Sequence, residues 1–468
     1  MKRRMARLLL PALPVASAAV RISLTGLLLS GMLVSLSTQA QTLTWLGTLG
    51  GNSSRAYDVS NEGPVVVGTS ANASQQIRAF FWTPGTGLQD LGTLGGSQSS
   101  ARAVSSDGNV IVGWAYKPGD ASPRSFRWTA TTGMQEIQSL VADRENRAHG
   151  ISDDGLVIVG EYWDPGDPRA YRWTTQMEDL GTLGGFQAYA YDASADGAVV
   201  VGQAMNSDMT MRAFRWENWV MQDLGTLGGS WSEARAVSAD GTVIVGFSSN
   251  NNGDLRPFRW RAASGMVELP SLGVNSAALD VSANGRYVVG YYVINNTTEE
   301  RALLWDAFTV PPTMRNLTSH YASLLTPGSY LERATAISPD GRYIVGHGFN
   351  AETGRTEGFL LDTQGVTAVD DQRPLRQKTV LIQNYPNPFR STTQVSFETA
   401  DPGWVTLKVL DLLGREVRTL VHARLAAGLH TVQWDGRDEA GHPVAGGLYL
   451  YRLETARVVL TRRLLLVR

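Results

Sequence analysis

The residues able to do chemistry in this chain are few, and their spacing argues against most enzymes. Of 468 residues none is cysteine, and the six histidines are His149, His320, His347, His422, His430 and His442. No two of them stand at the His-x-x-x-His spacing that puts a pair of imidazoles on one helical face. The lack of cysteine removes thiol nucleophiles, Cys-ligated zinc and disulfides together. There is no Gly-x-Ser-x-Gly nucleophile elbow. The glycine runs LGTLGG lack the Gly-Lys-Ser/Thr of a phosphate loop, and they recur in register, so they read as turns. Asp107, Asp154, Asp196, Asp240 and Asp340 also recur, each just before a glycine. An aspartate so placed caps its own turn through the backbone N–H two residues on, a commoner use than calcium binding. Arg127, Arg172, Arg215 and Arg259 each precede a tryptophan; strand alternation points them away from the core, towards pairing or cation–π packing on the sheet surface. The non-repeated carboxylates Asp164, Asp167, Asp208 and Glu299 would serve glycan cleavage only if they converged within about 5–10 Å. No catalytic residue, cofactor site or metal site is therefore assigned from sequence.

What must position any site is a tandem repeat. Four pieces recur in fixed order: LGTLGG, then Ala-x-x-(Val/Ile/Ala)-Ser-x-(Asp/Asn/Glu)-Gly, then a β-branched run closing on glycine, then an aromatic triplet ending in Trp. The serines are Ser60, Ser105, Ser152, Ser194, Ser238, Ser282 and Ser338. The closing glycines are Gly68, Gly113, Gly160, Gly202, Gly246, Gly290 and Gly346, at intervals of 45, 47, 42, 44, 44 and 56 residues. The pieces are too short and too rich in Val, Ile and aromatics for helices. A period of about 44 residues holding four strands is the size of one propeller blade. Seven units without a polar capping repeat favour a closed ring over an open solenoid. The expectation is an all-β chain: a seven-bladed β-propeller over 41–362, a linker over 363–380 and a small Ig-like β-sandwich over 381–468.

The phase of the repeat predicts how the ring closes. Thr42–Leu46 is an outer-type strand that precedes any inner strand, and the seventh unit ends on its aromatic strand with only a weak follower, Val366–Val369. Thr42–Leu46 should complete the last blade and remove an exposed sheet edge. The same phase puts LGTLGG and the variable loops Trp114–Arg124, Glu161–Arg169, Phe247–Arg256 and Tyr291–Arg301 on one face. Variable loops on a rigid scaffold are the expected binding surface.

These four motifs together resemble the HAF extracellular repeat family, over about residues 43–362, and ISPDGRYIVG at Ile337–Gly346 is similar to the hairpin of TolB-type propellers. Neither resemblance implies a catalytic motif. The ends of the chain carry addresses. Residues 1–40 hold five basic groups and no acids, with two apolar stretches ending in Ser-Thr-Gln-Ala; they read as a Sec signal cleaved between Ala40 and Gln41, leaving no membrane span. Residues 41–370 hold 22 basic against 34 acidic residues, a poor match for nucleic acid or anionic membrane.

From Leu381 onward the pattern changes. Strands are expected at Val395–Glu398, Val405–Asp411, Gly428–Trp434 and Leu448–Glu454, with turns at Gly414 and Asp435-Gly436. Tyr385, Pro386, Asn387, Pro388 and Phe389, with Gly428, Trp434, Asp435, Gly436, Gly447 and Tyr449, resemble the C-terminal sorting domain of type IX secretion cargo, itself similar to the Ig-like domain of hook-capping proteins. Two departures are Gly446, where that family often has Ser, and a final Arg468 in place of lysine. The resemblance implies the type IX machinery as partner, export across the outer membrane of a Gram-negative bacterium, removal of the domain, and release or surface attachment. The functional expectation is a secreted or cell-surface, non-enzymatic binding protein with a glycan, peptide or protein ligand. The alternative is a propeller hydrolase or lyase acting on extracellular glycans.

Overall fold

A computed structural model describes residues 41–363 and 379–467, apart from 62, 120–121, 274, 296, 382–383, 385–386, 400–402, 427 and 456–457. The expected signal, the follower strand at 366–369, and Tyr385 and Pro386 lie outside the described residues.

Five of the repeat units form separate four-stranded antiparallel sheets, and the first and last are joined into one eight-stranded sheet by a single parallel bridge between Ser53 and Thr356. The inner strands of the units are Gly50–Val59, Ser99–Val104, Asn146–Ile151, Gly184–Ala193, Gly228–Val237, Ser276–Val281 and Tyr330–Ile337. Each inner strand packs beside the next, and the seventh packs beside the first, so the sheets surround a central channel. The β-branched run supplies the second strand of each blade and the aromatic triplet the third. Faces of adjacent blades interlock, as where Val199, Val201 and Ala213 meet Ile244, Phe258 and Trp260. The triplet residues Phe80, Phe126, Tyr171, Phe214, Phe258, Leu303 and Phe359 are fully buried in these seams. The long sixth interval is taken up by a short helix, Leu317–His320, and a 3-10 turn, Ala322–Leu324.

The turns hold as their residue types require. Every motif serine, from Ser60 to Ser338, is buried, and its Oγ accepts the N–H five residues on, as from Val110 to Ser105 at 3.0 Å. The paired aspartates make the expected Asx turns: Asp107 accepts from Asn109 N–H, Asp154 from Leu156, Asp196 from Ala198, Asp240 from Thr242 and Asp340 from Arg342. Arg215 pairs with Glu217 at 3.0 Å on the sheet surface, and Arg172 with Glu178 at 3.4 Å. Arg172 and Arg259 also donate to the carbonyls of Gly197 and Ala307, tying each blade to its neighbour.

Closure follows the phase of the repeat. Thr42–Trp45 pairs antiparallel with Arg355–Asp362, in register from Thr42 opposite Asp362 to Trp45 opposite Phe359. Leu46 continues it, donating to the Gly358 carbonyl at 2.9 Å while its side chain is buried. The first described strand is thus the outer strand of the last blade.

The C-terminal region folds as two facing sheets. One holds Val380–Leu381, Thr393–Thr399 and Gly428–Trp434; the other holds Glu416–Leu425, Gly403–Leu410, Gly447–Thr455 and Val459–Leu466. Three of these strands are not expected from the sequence: the two-residue Val380–Leu381, and two longer ones. Glu416–Leu425 is nowhere fully buried and Val459–Leu466 carries Arg462 and Arg463, so neither shows a clean apolar alternation.

Deleting residues 41–50 strips the outer strand from the seventh blade along with Leu43, Trp45 and Leu46. A fall in melting temperature of about 5 °C or more is expected from the apolar area lost. An unchanged calorimetric melt would count against the clasp.

Candidate functional site in the central channel

The site is built by one backbone irregularity repeated seven times. In every blade the inner strand carries a β-bulge opposite the closing glycine of the second strand. A bulge leaves one residue unpaired and re-aims its side chain. Here the unpaired residues are Tyr57, Arg102, His149, Tyr191, Arg235, Leu279 and Thr335, and all seven line the channel. The glycine is required by the close approach: a Cβ on Gly246 would lie 2.0 Å from the Glu233 carbonyl oxygen. The alanine before each bulge residue, from Ala56 to Ala334, is fully buried against the neighbouring blade.

The channel widens into a cavity of about 690 Å³. Its walls are the seven bulge residues and their neighbours on both sides, such as Arg55 and Arg333 before and Asp58 and Ala236 after, and Glu300 and His347 extend it towards the loop end of the ring. Charged pairs surround it. Arg333 is clamped to Glu300, and His149 to the buried Glu161. Arg235 meets Glu233 at 2.5 Å, and Arg147 meets Glu145 at 2.5 Å. Aromatic faces hold the guanidiniums: Arg102 sits 4.6 Å from the Tyr57 ring centroid, Arg235 4.6 Å from Tyr191 and Arg333 4.3 Å from Tyr291. Burial lowers the Arg102 pKa, opposed by Tyr57 and Glu161. Burial, with Arg55 and Arg333 close by, pulls His347 down to about 3, so its imidazole is neutral.

Three aspartates form the floor. Asp58, Asp192 and Asp280 directly follow bulge residues and border both this cavity and a smaller one of about 80 Å³ towards the Asp-Gly hairpins. Each accepts two backbone N–H bonds, one from its own strand and one from a neighbouring blade. Asp58 accepts from Val59 at 2.7 Å and Val104 at 2.8 Å, Asp192 from Ala193 and Val237, and Asp280 from Val281 and Ile337. Burial outweighs these donors and pushes Asp58 and Asp192 up to about 7, and Asp280 is raised as well. They are blade clamps first. No group of three or more His, Asp or Glu among the described residues is placed to hold a metal ion.

The four non-repeated carboxylates fall elsewhere. Asp164 and Asp167 face each other across one hairpin, Glu299 pairs with Arg301 at 2.9 Å, and Asp208 sits in a turn capped by Asn206. None of the four lines the cavity. Two histidines with no motif around them, His149 and His347, do line it. The variable loops contribute chiefly their first residues: Glu161, and Trp114, Phe247 and Tyr291, which back the arginines Arg147, Arg235 and Arg333. The bulge ring is hidden in the sequence because its position is the unspecified x after alanine. The available signal is Tyr, Arg, His, Tyr, Arg, Leu and Thr varying inside an otherwise repeated frame.

In the sandwich, three of the sorting-type motif residues, Phe389, Trp434 and Tyr449, lie in the core. Phe389 packs on Trp434 at 5.6 Å between ring centroids, and Trp434 packs on Tyr449 at 5.5 Å. Trp434 Nε1 donates to the Arg437 carbonyl, and Asn387 Oδ1 accepts from Leu465 N–H. Pro388 and Asp435 are exposed; Gly428 opens a strand, while Gly436 and Gly447 have positive φ.

The family model for the FlgD Ig-like domain matches residues 384–457. No curated protein matches the chain. Among solved structures the propeller resembles TolB from Acinetobacter baumannii, at 16% identity and TM-score 0.38, covering 68% of this chain and 65% of that one. It also resembles oligogalacturonate lyase from Vibrio parahaemolyticus, at 12% and 0.47, covering 68% and 93%. A third is the β-propeller domain of the Trilobed protease from Pyrococcus furiosus, at 11% and 0.44, covering 69% and 96%. The chain is an all-β propeller followed by an Ig-like domain.

The clamps make stability depend on pH in a defined direction. A carboxyl whose pKa is raised on folding holds a proton in the native state that the unfolded chain has released, so stability falls as pH rises between the two values. For Asp58 that window runs from the ordinary aspartate value of 3.8 to about 7. Asp58→Asn removes this titration and one acceptor. Wild type should therefore exceed the variant in melting temperature most at pH 4.5, with the gap narrowing by pH 8. A gap that widens with pH would refute the assignment.

Proposed function

We propose that this chain is a secreted or cell-surface binding protein without catalytic activity, holding its ligand at the loop-side end of the propeller channel. One observation carries the reading. Seven blades repeat their scaffold residues, yet the residue each bulge projects into the channel differs from blade to blade. A cavity walled by paired charges and supported by a rigid ring suits recognition of one asymmetric polar ligand. The binding surface in this reading is the channel mouth together with the first residues of the loops, rather than the loop tips. An array of glycans and peptides probed with residues 41–468 should give discrete hits that are recovered intact. Cleavage of the hit compounds would replace this reading with the glycan-degrading one.

The second part of the proposal is an address. Residues 1–40 act as a Sec signal cleaved between Ala40 and Gln41, 363–380 as a linker, and 381–468 as a sorting domain for the type IX machinery. The support is the ordered motif set from Tyr385 to Tyr449 on a domain matching the FlgD Ig-like family model. Among the described residues no helix is long and apolar enough to cross a membrane. In a type IX-competent Gram-negative host the full chain should reach the outer surface or the medium, and a chain lacking 381–468 should stop in the periplasm. Full-length protein retained in the periplasm with its C-terminal domain intact would sink the address.

A further inference from the structure

We propose that the loop-side channel cavity binds an acidic oligosaccharide, with Arg102 and Arg55 receiving a sugar carboxylate. The inference rests on the binding reading above and narrows it to one ligand class.

Charge pairing around the cavity is uneven. Arg235 and Arg333, which line it, each meet a glutamate. Arg102 and Arg55 line the same cavity and form no ion pair among the described residues. Arg102 is held in place from one side by the Tyr57 ring, and its Nε is buried with no hydrogen-bond partner. A confined guanidinium lacking an anion carries a desolvation cost that a carboxylate would offset, and its fork matches that group's two oxygens. Arg55 stands two residues before Tyr57 on the same strand and is exposed at the cavity mouth. The two cations therefore lie along the way in.

The rest of the lining selects among anions. One face of Tyr57 and one of Tyr191 are engaged by Arg102 and Arg235, so these rings orient cations. Glu300 and Glu332 also line the cavity. A peptide rich in Asp or Glu would bring carboxylates against them at a cost, whereas sugar hydroxyls can donate to them while accepting from arginine. A volume of about 690 Å³ suits a short oligomer rather than a single small ion.

The test is calorimetric titration of residues 41–468 with trimers of glucuronate, galacturonate and mannuronate, each beside its carboxyl-reduced neutral form. At least one uronate trimer should bind, and its neutral form should bind about tenfold more weakly or not at all. Arg102→Gln should weaken binding by about tenfold or more. The exposed Arg55→Gln, which leaves the packed ring untouched, should weaken it in the same direction. Arg78→Gln, on the outer sheet surface and paired with Asp90, should leave affinity unchanged. The proposal is overturned if no uronate trimer binds, if neutral and acidic forms bind alike, or if both cavity arginines prove dispensable. It is equally overturned if a Glu-rich peptide displaces the trimer and binds more tightly. Array hits outside the acidic glycans would then leave the binding reading standing, while a blank array would remove both.

Discussion

A girdle of inter-blade hydrogen bonds at the hairpin end of the channel is the constraint on which the rest depends. The residue after each motif serine donates to, or accepts from, its counterpart in the next blade: Asn61 N–H to the Ser106 carbonyl, Ser106 to Asp153, Ala195 to Ala239, Ala239 to Ala283 and Ala283 to Pro339. Between the third and fourth blades Asp154 N–H takes the donor's place, reaching Ala195. Pro339 has no N–H to pass on. The last link is made instead by Asp340 N–H to the Asn61 side chain at 3.1 Å, so the ring closes through the one asparagine at that position. Inner strands otherwise present open edges to the channel, and unpaired edge groups are costly when confined. The girdle satisfies part of that edge and sets the angular spacing of the blades.

With the spacing set, the bulges become the means of building a site. The girdle and the Asp58, Asp192 and Asp280 clamps hold the hairpin end tight, while a short step further along each strand the bulge turns a side chain inward. Scaffold and site are thereby separated along a single short motif. Alanine and serine serve the seams between blades, and the residue between them is free to vary. This explains how a chain with no sequence-level site can still surround a highly polar cavity. It also explains why the paired charges there are tolerated: buried Glu161 and Glu233 meet the His149 imidazole and the Arg235 guanidinium.

The sandwich combines roles differently. Phe389, Trp434 and Tyr449 are at once the residues of the sorting-type pattern and the centre of the hydrophobic core. Their burial ties them to folding whatever the domain's use, whereas Pro388 and Asp435 are exposed, with Asp435 paired to Arg418 at 2.8 Å.

The sequence by itself determined the repeat, the four-strand unit, the Asx turns and the clasp by Thr42–Leu46. Each of these is a local consequence of residue type: glycine where two backbones close, aspartate before a tight turn, β-branched runs where strands are buried on both faces. It also determined that metal and thiol chemistry have no obvious ligands. The tertiary structure alone decided which residues share the channel. Arg102 and Arg235 are 133 positions apart, and Arg55 and Arg333 are 278 apart, yet ring closure brings all four around one cavity. Periodicity could not reveal this, because a bulge breaks the strict alternation from which inward and outward faces are read. Nor could it show that Asp58 reaches the next blade: Asp107 caps its own turn, while Asp58 accepts from Val104 of the neighbouring blade.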